Sequence, residues 1–397
     1  AGALEAGAAA AMQNADSITV VGTLNVAQWE TLVQLDANGV IDLDLFDISP
    51  SLSIASTLEG DNIVNSAEDA DVVVSGTTTG VEDGQVVTVT LSDGTTTVTK
   101  TATVAGNAWA LTGGELADVS GLTNGSITVK ANVANGAGNA AVEATKTLTL
   151  DNSAPTILIA TTLEGDDIVN AAEDADVVVS GTTTGVEDGQ VVTVTLSDGT
   201  TTVTKTATVA GNAWALSGSE LADISGLTNG SITVKANVSD VAGNAAVEAS
   251  KTIDLDNSAP TILIATTLEV DDIVNAAEDA DVVVSGTTTG VEDGQVVTVT
   301  LSDGTTTVTK TATVAGNAWA LSGSELADIS GLTNGSITVK ANVSDVAGNA
   351  AVEASKTIDL DNVVPTVTIT MSSTALKILD GAEQAEATVT VSFSEPV

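Results

Sequence analysis

Short runs of alternating apolar and polar residues recur along most of the chain. Within residues 261–365 there are seven such runs: TILIATTL, DVVVSGTT, QVVTVTLS, TTTVTKTATV, AWALS, SITVKANVS and NAAVEASKTIDLD. Alternation in short segments rich in Val and Thr is typical of β-strands with one buried face. Turn signals such as SDGT, GVEDG and AGN separate the runs, and the longer GSELADISGLTNG has room for one helical turn.

The pattern repeats with a period of 105 residues. The tryptophan of each copy keeps this spacing: Trp109, Trp214 and Trp319. So does the proline that opens each copy: Pro50, Pro155, Pro260 and Pro365. Residues 156–257 and 261–362 differ at one position, where Gly165 stands against Val270.

The period predicts how the chain divides into domains. Residues 1–50 do not match the repeat and are expected to be the end of a preceding unit. Three complete copies follow, here called repeat one (51–155), repeat two (156–260) and repeat three (261–365). Residues 366–397 are expected to be the truncated start of a divergent fourth repeat.

The strand count predicts the fold class. Seven antiparallel strands in about 100 residues favour an all-β chain of tandem immunoglobulin-like β-sandwich domains in a linear rod. Aromatic residues make up only 2% of the chain, so the cores must be built from small aliphatic side chains. One tryptophan per copy is expected to be a packing residue of that core.

The charge balance excludes several classes of function. Ten basic residues against 53 acidic ones give a formal net charge of -43, which repels the phosphates of nucleic acids and anionic lipid headgroups. No apolar run reaches the roughly 18 residues of a membrane span. Cys and His are absent, which removes thiolate and imidazole chemistry, and the Glu-Asp pairs recur in every copy as structural features do. We expect no nucleic-acid partner, no membrane insertion and no enzyme activity.

The carboxylates are expected to gather where one repeat meets the next. If the strands alternate in direction, the loop containing Asp166, Asn170 and Glu173 lies beside the outgoing linker, at the end where the next repeat begins. The loops VEDG and SDVAGN of that next repeat then face it. Calcium takes six to eight oxygen ligands at roughly 2.3–2.6 Å, which such a set could supply.

Other interpretations of these acidic residues remain open. Asp and Asn are also ordinary turn residues, so each carboxylate is either a metal ligand or a solvated turn residue. The acidity could instead be a halophilic adaptation without discrete ion sites. Asn135 stands in repeat one where Asp240 and Asp345 stand in the others, so a site that used this position would be weaker or empty there.

The segments LDNSAPT, DDIVNAAED, VVVSGTT and WALSGSELADISGLTNGSITVKANVSDVAGNAA occur in this order in the chain. They resemble the bacterial immunoglobulin-like extender repeats of giant RTX adhesins exported by type I secretion, over residues 51–365 and more loosely to 397. The resemblance implies a stalk at the surface of a Gram-negative bacterium, stiffened by Ca²⁺, that holds an adhesive tip away from the cell for attachment or biofilm formation. No RTX nonapeptide, carbohydrate-binding tip or secretion signal is recognisable.

The resemblance also implies a set of calcium ligands. They lie in the linkers, the DxAGN turns and the first loops: Asp151, Asp256, Asp361, Asp240, Asp345, Asn65, Glu68, Asn170, Glu173, Asn275, Glu278, Asp61, Asp166 and Asp271. In the fourth repeat Leu376 and Lys377 replace Asp271 and Asp272, which argues against a site there.

The implied partners are the neighbouring repeats of a monomeric rod, while another part of the protein binds the adhesive target. The alternative is a repetitive binding module whose threonine-rich strands contact glycan, matrix or ice directly, with avidity from repetition.

Overall fold

Each of the three repeats contains eight β-strands. The computed structural model describes residues 49–372 and 388–394. Repeat one consists of β1 (Ser51–Ile54), β2 (Ile63–Val64), β3 (Ser75–Thr79), β4 (Val86–Ser92), β5 (Thr97–Thr103), β6 (Ala108–Ala110), β7 (Gly125–Asn132) and β8 (Ala144–Leu150).

Repeats two and three contain the same elements. Repeat two consists of β9 (Thr156–Ile159), β10 (Ile168–Val169), β11 (Ser180–Thr184), β12 (Val191–Ser197), β13 (Thr202–Thr208), β14 (Ala213–Ala215), β15 (Gly230–Asn237) and β16 (Ala249–Leu255). Repeat three consists of β17 (Thr261–Ile264), β18 (Ile273–Asn275), β19 (Ser285–Thr289), β20 (Val296–Ser302), β21 (Thr307–Thr313), β22 (Ala318–Ala320), β23 (Gly335–Asn342) and β24 (Ala354–Asp361). The predicted helical turn is a 3₁₀ turn at Gly113–Glu115, Gly218–Glu220 and Gly323–Glu325.

Two sheets form each repeat. In repeat two, a three-stranded sheet has the order β14-β11-β9 and a five-stranded sheet the order β10-β16-β15-β12-β13. All neighbours are antiparallel except β10 and β16, which run parallel. The inward-facing side chains of both sheets form one aliphatic core in each repeat. The predicted tandem β-sandwich fold is confirmed.

The eighth strand was missed by the strand count. It is the short β2, β10 or β18, and it lies inside the segment expected to be the first loop. Val169 in this strand is fully buried, and Asp256 N donates to Val169 O at 2.9 Å. An element of two or three residues is too short for alternation to reveal it.

The tryptophan of each repeat packs on a glycine. Trp214 is 3% exposed, which confirms its predicted role in the core. It pairs across the strands with Gly181, where an added Cβ would lie 1.9 Å from Leu158 O and 2.6 Å from Cζ2 of Trp214. One neighbour is a backbone oxygen and the other is a packed indole ring, so neither can move aside.

We predict that Gly181→Ala destabilises repeat two by about 3 kcal/mol or more, because overpacking a core against backbone forces strands apart. Gly226→Ala is the matched control, since a Cβ there meets nothing within 4 Å. Equilibrium urea unfolding measures both. Equal effects of the two substitutions would contradict the packing explanation.

Val270 occupies a backbone conformation that suits glycine. Its φ is 76°, and Gly165, its counterpart in repeat two, has φ 89°. A β-branched residue at positive φ is strained. The side chain is 94% exposed, so it gains no burial in return.

We therefore predict that Val270→Gly stabilises repeat three by about 1 kcal/mol, as expected when local backbone strain is relieved. The reciprocal Gly165→Val should destabilise repeat two by a similar amount. Urea unfolding of the two variants tests the pair, and a destabilising Val270→Gly would show that the side chain makes a favourable contact.

The chain continues past repeat three into one further strand pair. β25 (Val367–Ser372) pairs antiparallel with β26 (Thr388–Phe393). Residues 1–48, assigned above to a preceding unit, and Leu376 and Lys377 lie outside the described residues. Within the described ranges, no helix is long and apolar enough to cross a membrane.

Candidate functional site at the junctions between repeats

A buried asparagine joins repeat two to repeat three. Asn349, in the DxAGN turn of repeat three, accepts a hydrogen bond from Ala171 N at 2.8 Å. Its Nδ2 donates to Asp256 O at 2.7 Å. The side chain thus contacts both the first loop and the outgoing linker of the preceding repeat, and it is 6% exposed.

The same contact joins repeat one to repeat two. Asn244 accepts from Ser66 N at 2.9 Å and donates to Asp151 O at 2.8 Å. The recurrence of both bonds means that the two junctions share one geometry.

An aspartate at the start of the turn orients each asparagine. Asp345 Oδ1 accepts from Asn349 N at 2.8 Å, and its Oδ2 accepts from Asn349 Nδ2 at 3.0 Å. The VEDG loop supports the same turn, because Glu292 Oε2 accepts from Val346 N at 2.9 Å. The two loops expected to face the preceding repeat therefore lie together.

The other side of the junction is the C-terminal end of the preceding repeat. There, Asn257 Nδ2 of the linker donates to Asp174 Oδ2 of the first loop at 2.8 Å. Asn229 Nδ2 donates to Asp256 Oδ1 at 3.0 Å and to Ser258 Oγ at 2.9 Å. These bonds tie the linker to its own repeat before it crosses to the next.

Several of the predicted ligands lie at these junctions. At the first junction, a Cβ on Gly243 of repeat two would lie 3.4 Å from Nδ2 of Asn65. Glu68 Oε2 accepts from Asn65 N at 3.1 Å. The other predicted ligands of the two junctions occupy equivalent or adjacent positions: Asn170, Glu173, Asp151, Asp256, Asp240 and Asp345.

The remaining predicted ligands are arranged differently. Asp61, Asp166 and Asp271 each accept from the backbone N two residues ahead, at 2.8–3.1 Å, and among the described residues none bonds to another repeat. Asn275, Glu278 and Asp361 lie at the far end of repeat three, where Asn275 Nδ2 donates to Glu278 Oε2 at 2.7 Å. Across the part of the chain that the structure describes, no three acidic side chains are grouped closely enough to hold a metal ion.

Comparisons with known proteins show which family has this architecture. No family model matches the chain, and no curated protein matches it. The crystal structure of a tetra-tandem repeat in the extending region of a large adhesion protein is 30% identical, over 82% of this chain and 77% of that one, with a TM-score of 0.30. The chain belongs to the bacterial immunoglobulin-like repeats of large adhesins.

Two further adhesin structures are similar to this chain. A Ca²⁺-stabilised adhesin with which an Antarctic bacterium reaches out and binds ice is 28% identical, over 81% of this chain and 76% of that one, with a TM-score of 0.41. A bacterial immunoglobulin-like domain from the M. primoryensis ice-binding adhesin is 28% identical, over 26% of this chain and 99% of that one, with a TM-score of 0.20. All three TM-scores lie below 0.5, so membership rests on sequence identity and not on superposition.

In this adhesin repeat, the residue that joins the domains was not among the predicted ligands. Asn244 and Asn349 end the SDVAGN loops that were expected to face the preceding repeat, but neither was predicted as a ligand. The signal was nevertheless present, because the DxAGN turn ends in an asparagine in repeats two and three. What the sequence does not show is that this side chain bonds to the preceding repeat.

A second aspartate braces the C-terminal end of each adhesin repeat. Asp198, in the hairpin turn between β12 and β13, accepts from Thr201 N at 2.7 Å, Thr228 N at 2.9 Å and Thr200 N at 2.8 Å. These donors favour the charged form, so the bonds from Thr201 N and Thr228 N hold the pKa of Asp198 well below its usual range. Asp93 and Asp303 have the same surroundings and the same direction of shift.

A depressed folded-state pKa stabilises the fold above the unfolded pKa of about 4 and loses this contribution as the pH falls towards the folded value. We predict that Asp93→Asn, Asp198→Asn and Asp303→Asn together lower the thermal midpoint at neutral pH, and that the difference from wild type narrows in acid. Asp71→Asn, Asp176→Asn and Asp281→Asn remove the same charge as a control. A difference that persists unchanged in acid would contradict the assignment.

We predict that Asn349→Ala loosens the junction between repeats two and three. The substitution removes the hydrogen bonds from Ala171 N and to Asp256 O, a loss of about 0.5–1.5 kcal/mol per bond. The chain has no cysteine, so spin labels at Thr204→Cys and Thr309→Cys report the distance between the two repeats. The distance distribution should broaden in Asn349→Ala and remain narrow in the exposed control Asn237→Ala. Equal distributions would show that the asparagine does not hold the junction.

Proposed function

We propose that the chain is a stalk segment of a bacterial surface adhesin and that it extends into the extracellular space as a monomeric rod. The observation that carries the proposal is the repeated junction, in which Asn244 and Asn349 each bond to the outgoing linker and the first loop of the preceding repeat. A flexible string of independent domains needs no such contact. In this role the partners within the chain are the neighbouring repeats, and another part of the protein binds the adhesive target.

The strand arrangement supports a stalk that carries tension. β10, near the start of repeat two, runs parallel to β16 at its end, with Asp254 N donating to Asp167 O and Asp256 N to Val169 O, both at 2.9 Å. Once a pull on the two ends of the repeat passes β9 and its pairing with β11, it moves β10 and β16 in opposite directions along their axes. Their hydrogen bonds are then loaded together, in shear, and not one after another.

An ion pair strengthens the same region. Lys251 Nζ lies 2.9 Å from Asp167 Oδ2, and the lysine side chain is 17% exposed. Lys356 and Asp272 form the equivalent pair in repeat three at 3.0 Å. Both pairs join the segment before the short parallel strand to the last strand, which carries the load out of the repeat.

We further propose that calcium stiffens the junctions. The donor types there suit a hard cation, because carboxylates, asparagine oxygens and backbone carbonyls are the ligands that calcium takes. In the described residues, however, no three acidic side chains are grouped around one point. Asp240 and Asp151, with Asn65 and Glu68, would hold the ion at the first junction. Asp345 and Asp256, with Asn170 and Glu173, would do so at the second. Bound there, calcium would supply positive charge that neutralises the facing carboxylates.

Electrostatics supports this proposal. A net charge of -43 makes the repeats repel one another, and repulsion is strongest where acidic loops of two repeats meet. Monovalent salt screens exposed charges over about 8 Å at physiological ionic strength, but it does not bridge two loops. A divalent ion both screens the charges and bridges the two loops. In this proposal, type I secretion exports the stalk from a Gram-negative cell into a medium that contains calcium. Calcium would then stiffen the stalk outside the cell, where it serves attachment or biofilm formation.

We predict calcium binding in the weak extracellular class, with a Kd on the order of 10⁻⁴–10⁻³ M. Isothermal titration of the full chain should show this binding, and Asp240→Asn with Asp345→Asn should abolish most of it. Asparagine already occupies the equivalent position 135, so the substitution is compatible with the turn.

The control for that titration removes the same charge away from the junctions. Glu220→Gln with Glu325→Gln serves, because these side chains bond to Thr206 and Thr311 on the edge strands. The control should bind calcium as wild type does. Equal losses of calcium binding in both double variants would mean that the net charge attracts calcium diffusely. No calcium binding in the wild type would contradict the proposal and leave a stalk whose charge is screened by salt alone.

One observation favours a second candidate, a direct binding role for the threonine-rich strands. Thr202, Thr204, Thr206 and Thr208 lie exposed in a row along β13, and the row recurs in every repeat. Such a row could contact glycans, matrix or ice with avidity from repetition. A binding screen of the full chain against glycans and ice separates the two functions, because a spacer binds neither.

A further inference from the structure

Repeat one differs from its neighbours at the start of the DxAGN turn. Asn135-Gly136 stands where repeats two and three have Asp240-Val241 and Asp345-Val346. Asparagine followed by glycine is the pair in which the following backbone nitrogen can most easily reach the side-chain carbonyl, because glycine has no Cβ to obstruct the approach and the fewest conformational restrictions. The replacement therefore changes the chemical reactivity of this position as well as its charge.

The nucleophile in this reaction would be Gly136 N, and a base lies against it. Gly136 N donates to Glu82 Oε2 at 2.6 Å. The approach is closer than in repeats two and three, where Val241 N and Val346 N donate to Glu187 and Glu292 at 2.9 Å. A Cβ on Gly136 would lie 3.3 Å from the Glu82 carboxyl group. A carboxylate at hydrogen-bonding distance from the proton it must remove is the geometry that general-base catalysis needs.

The electrophile is held by a hydrogen-bond donor. Asn139 N donates to Asn135 Oδ1 at 2.8 Å. A backbone N–H in this position stabilises the negative charge that develops on the oxygen when the carbonyl carbon is attacked. Asn135 is 9% exposed, but Gly136 and the two residues after it are exposed, so water reaches the turn.

The product of the reaction fits the turn. In repeat two, Asp240 Oδ1 accepts from Asn244 N at 2.8 Å, the same bond that Asn135 makes in repeat one. The second carboxylate oxygen of Asp240 accepts from Asn244 Nδ2 at 3.0 Å. A carboxylate at position 135 would find the equivalent partners on Asn139.

The other Asn-Gly pairs in the described repeats lie in less favourable surroundings. Asn124 and Asn229 donate through Nδ2 to the carboxylates of Asp151 and Asp256, both at 3.0 Å. Conversion of either amide to an acid would set two carboxylates against each other. The glycines that follow, Gly125, Gly230 and Gly335, are fixed in the antiparallel ladder with the last strand of each repeat.

We propose that Asn135 is a self-modification site, at which this chain converts an amide to a carboxylate without an enzyme. Gly136 N attacks Cγ of Asn135 and passes its proton to Glu82. The Cγ–Nδ2 bond breaks, and ammonia leaves with that proton, closing a succinimide. Water then opens the ring to aspartate or isoaspartate, so the balance is asparagine plus water to acid plus ammonia.

The aspartate product gives repeat one the acidic residue that repeats two and three encode, whereas the isoaspartate product carries its carboxylate on a main chain that is one atom longer. Whether that acid then serves as a calcium ligand rests on the proposed function. The chemistry itself does not, because it is read out as a mass change without calcium.

The test is incubation of the full chain in heavy-oxygen water, followed by cleavage after lysine and mass spectrometry. Asn135 falls in residues 131–146, separate from Asn38 in 1–100 and Asn124 in 101–130, while Asn229 and Asn334 share one peptide sequence. Label should enter at position 135 about tenfold or more faster than at the other four Asn-Gly sites, since a positioned base contributes on the order of 10²–10⁴-fold.

Two variants separate the geometry from the mere presence of Asn-Gly. Gly136→Val, the residue that the other repeats carry here, should abolish labelling while the turn stays folded. Glu82→Gln should slow it by about tenfold or more. Circular dichroism and tryptophan fluorescence confirm the fold of both variants. Equal labelling at all five Asn-Gly sites, no labelling at 135, or an unchanged rate in Glu82→Gln would overturn the proposal.

Discussion

The carboxamide of Asn349 bonds to three segments of two repeats. Its oxygen accepts from the first loop of repeat two, and its nitrogen donates both to the linker and to Asp345 in its own turn. A buried amide must satisfy its donors and acceptor, and here the preceding repeat supplies two of the partners. The orientation of one repeat on the next therefore depends on a group that is satisfied only when the two are docked.

This arrangement explains why the acidic loops lie where they do. The turn that presents the asparagine begins with a buried aspartate, and the loop that receives it carries Asn170 and Glu173. Because the chain has a net charge of -43, two neighbouring repeats would move apart at such a junction unless hydrogen bonds, cations or both opposed the repulsion. The hydrogen bonds are in place, and calcium is the proposed second component.

Alternation and period were enough to predict the fold, because four strands of each repeat run for seven or eight residues and the repeats are almost identical. They could not predict β10, since two residues carry no alternation, or its parallel pairing with β16, which joins residues far apart in the chain. The loops that meet at a junction followed from strand direction. That Asn244 bonds to Ser66 did not, because a contact between separate domains leaves no periodic signal.

Small-angle scattering from the full chain tests most directly whether the junctions make a stiff, calcium-dependent stalk. The measurement compares millimolar calcium with excess chelator at constant ionic strength. The account predicts a long maximum dimension in calcium that shortens on chelation, as junctions that lose the ion begin to bend. An identical scattering profile in both conditions, with no calcium taken up, would contradict it.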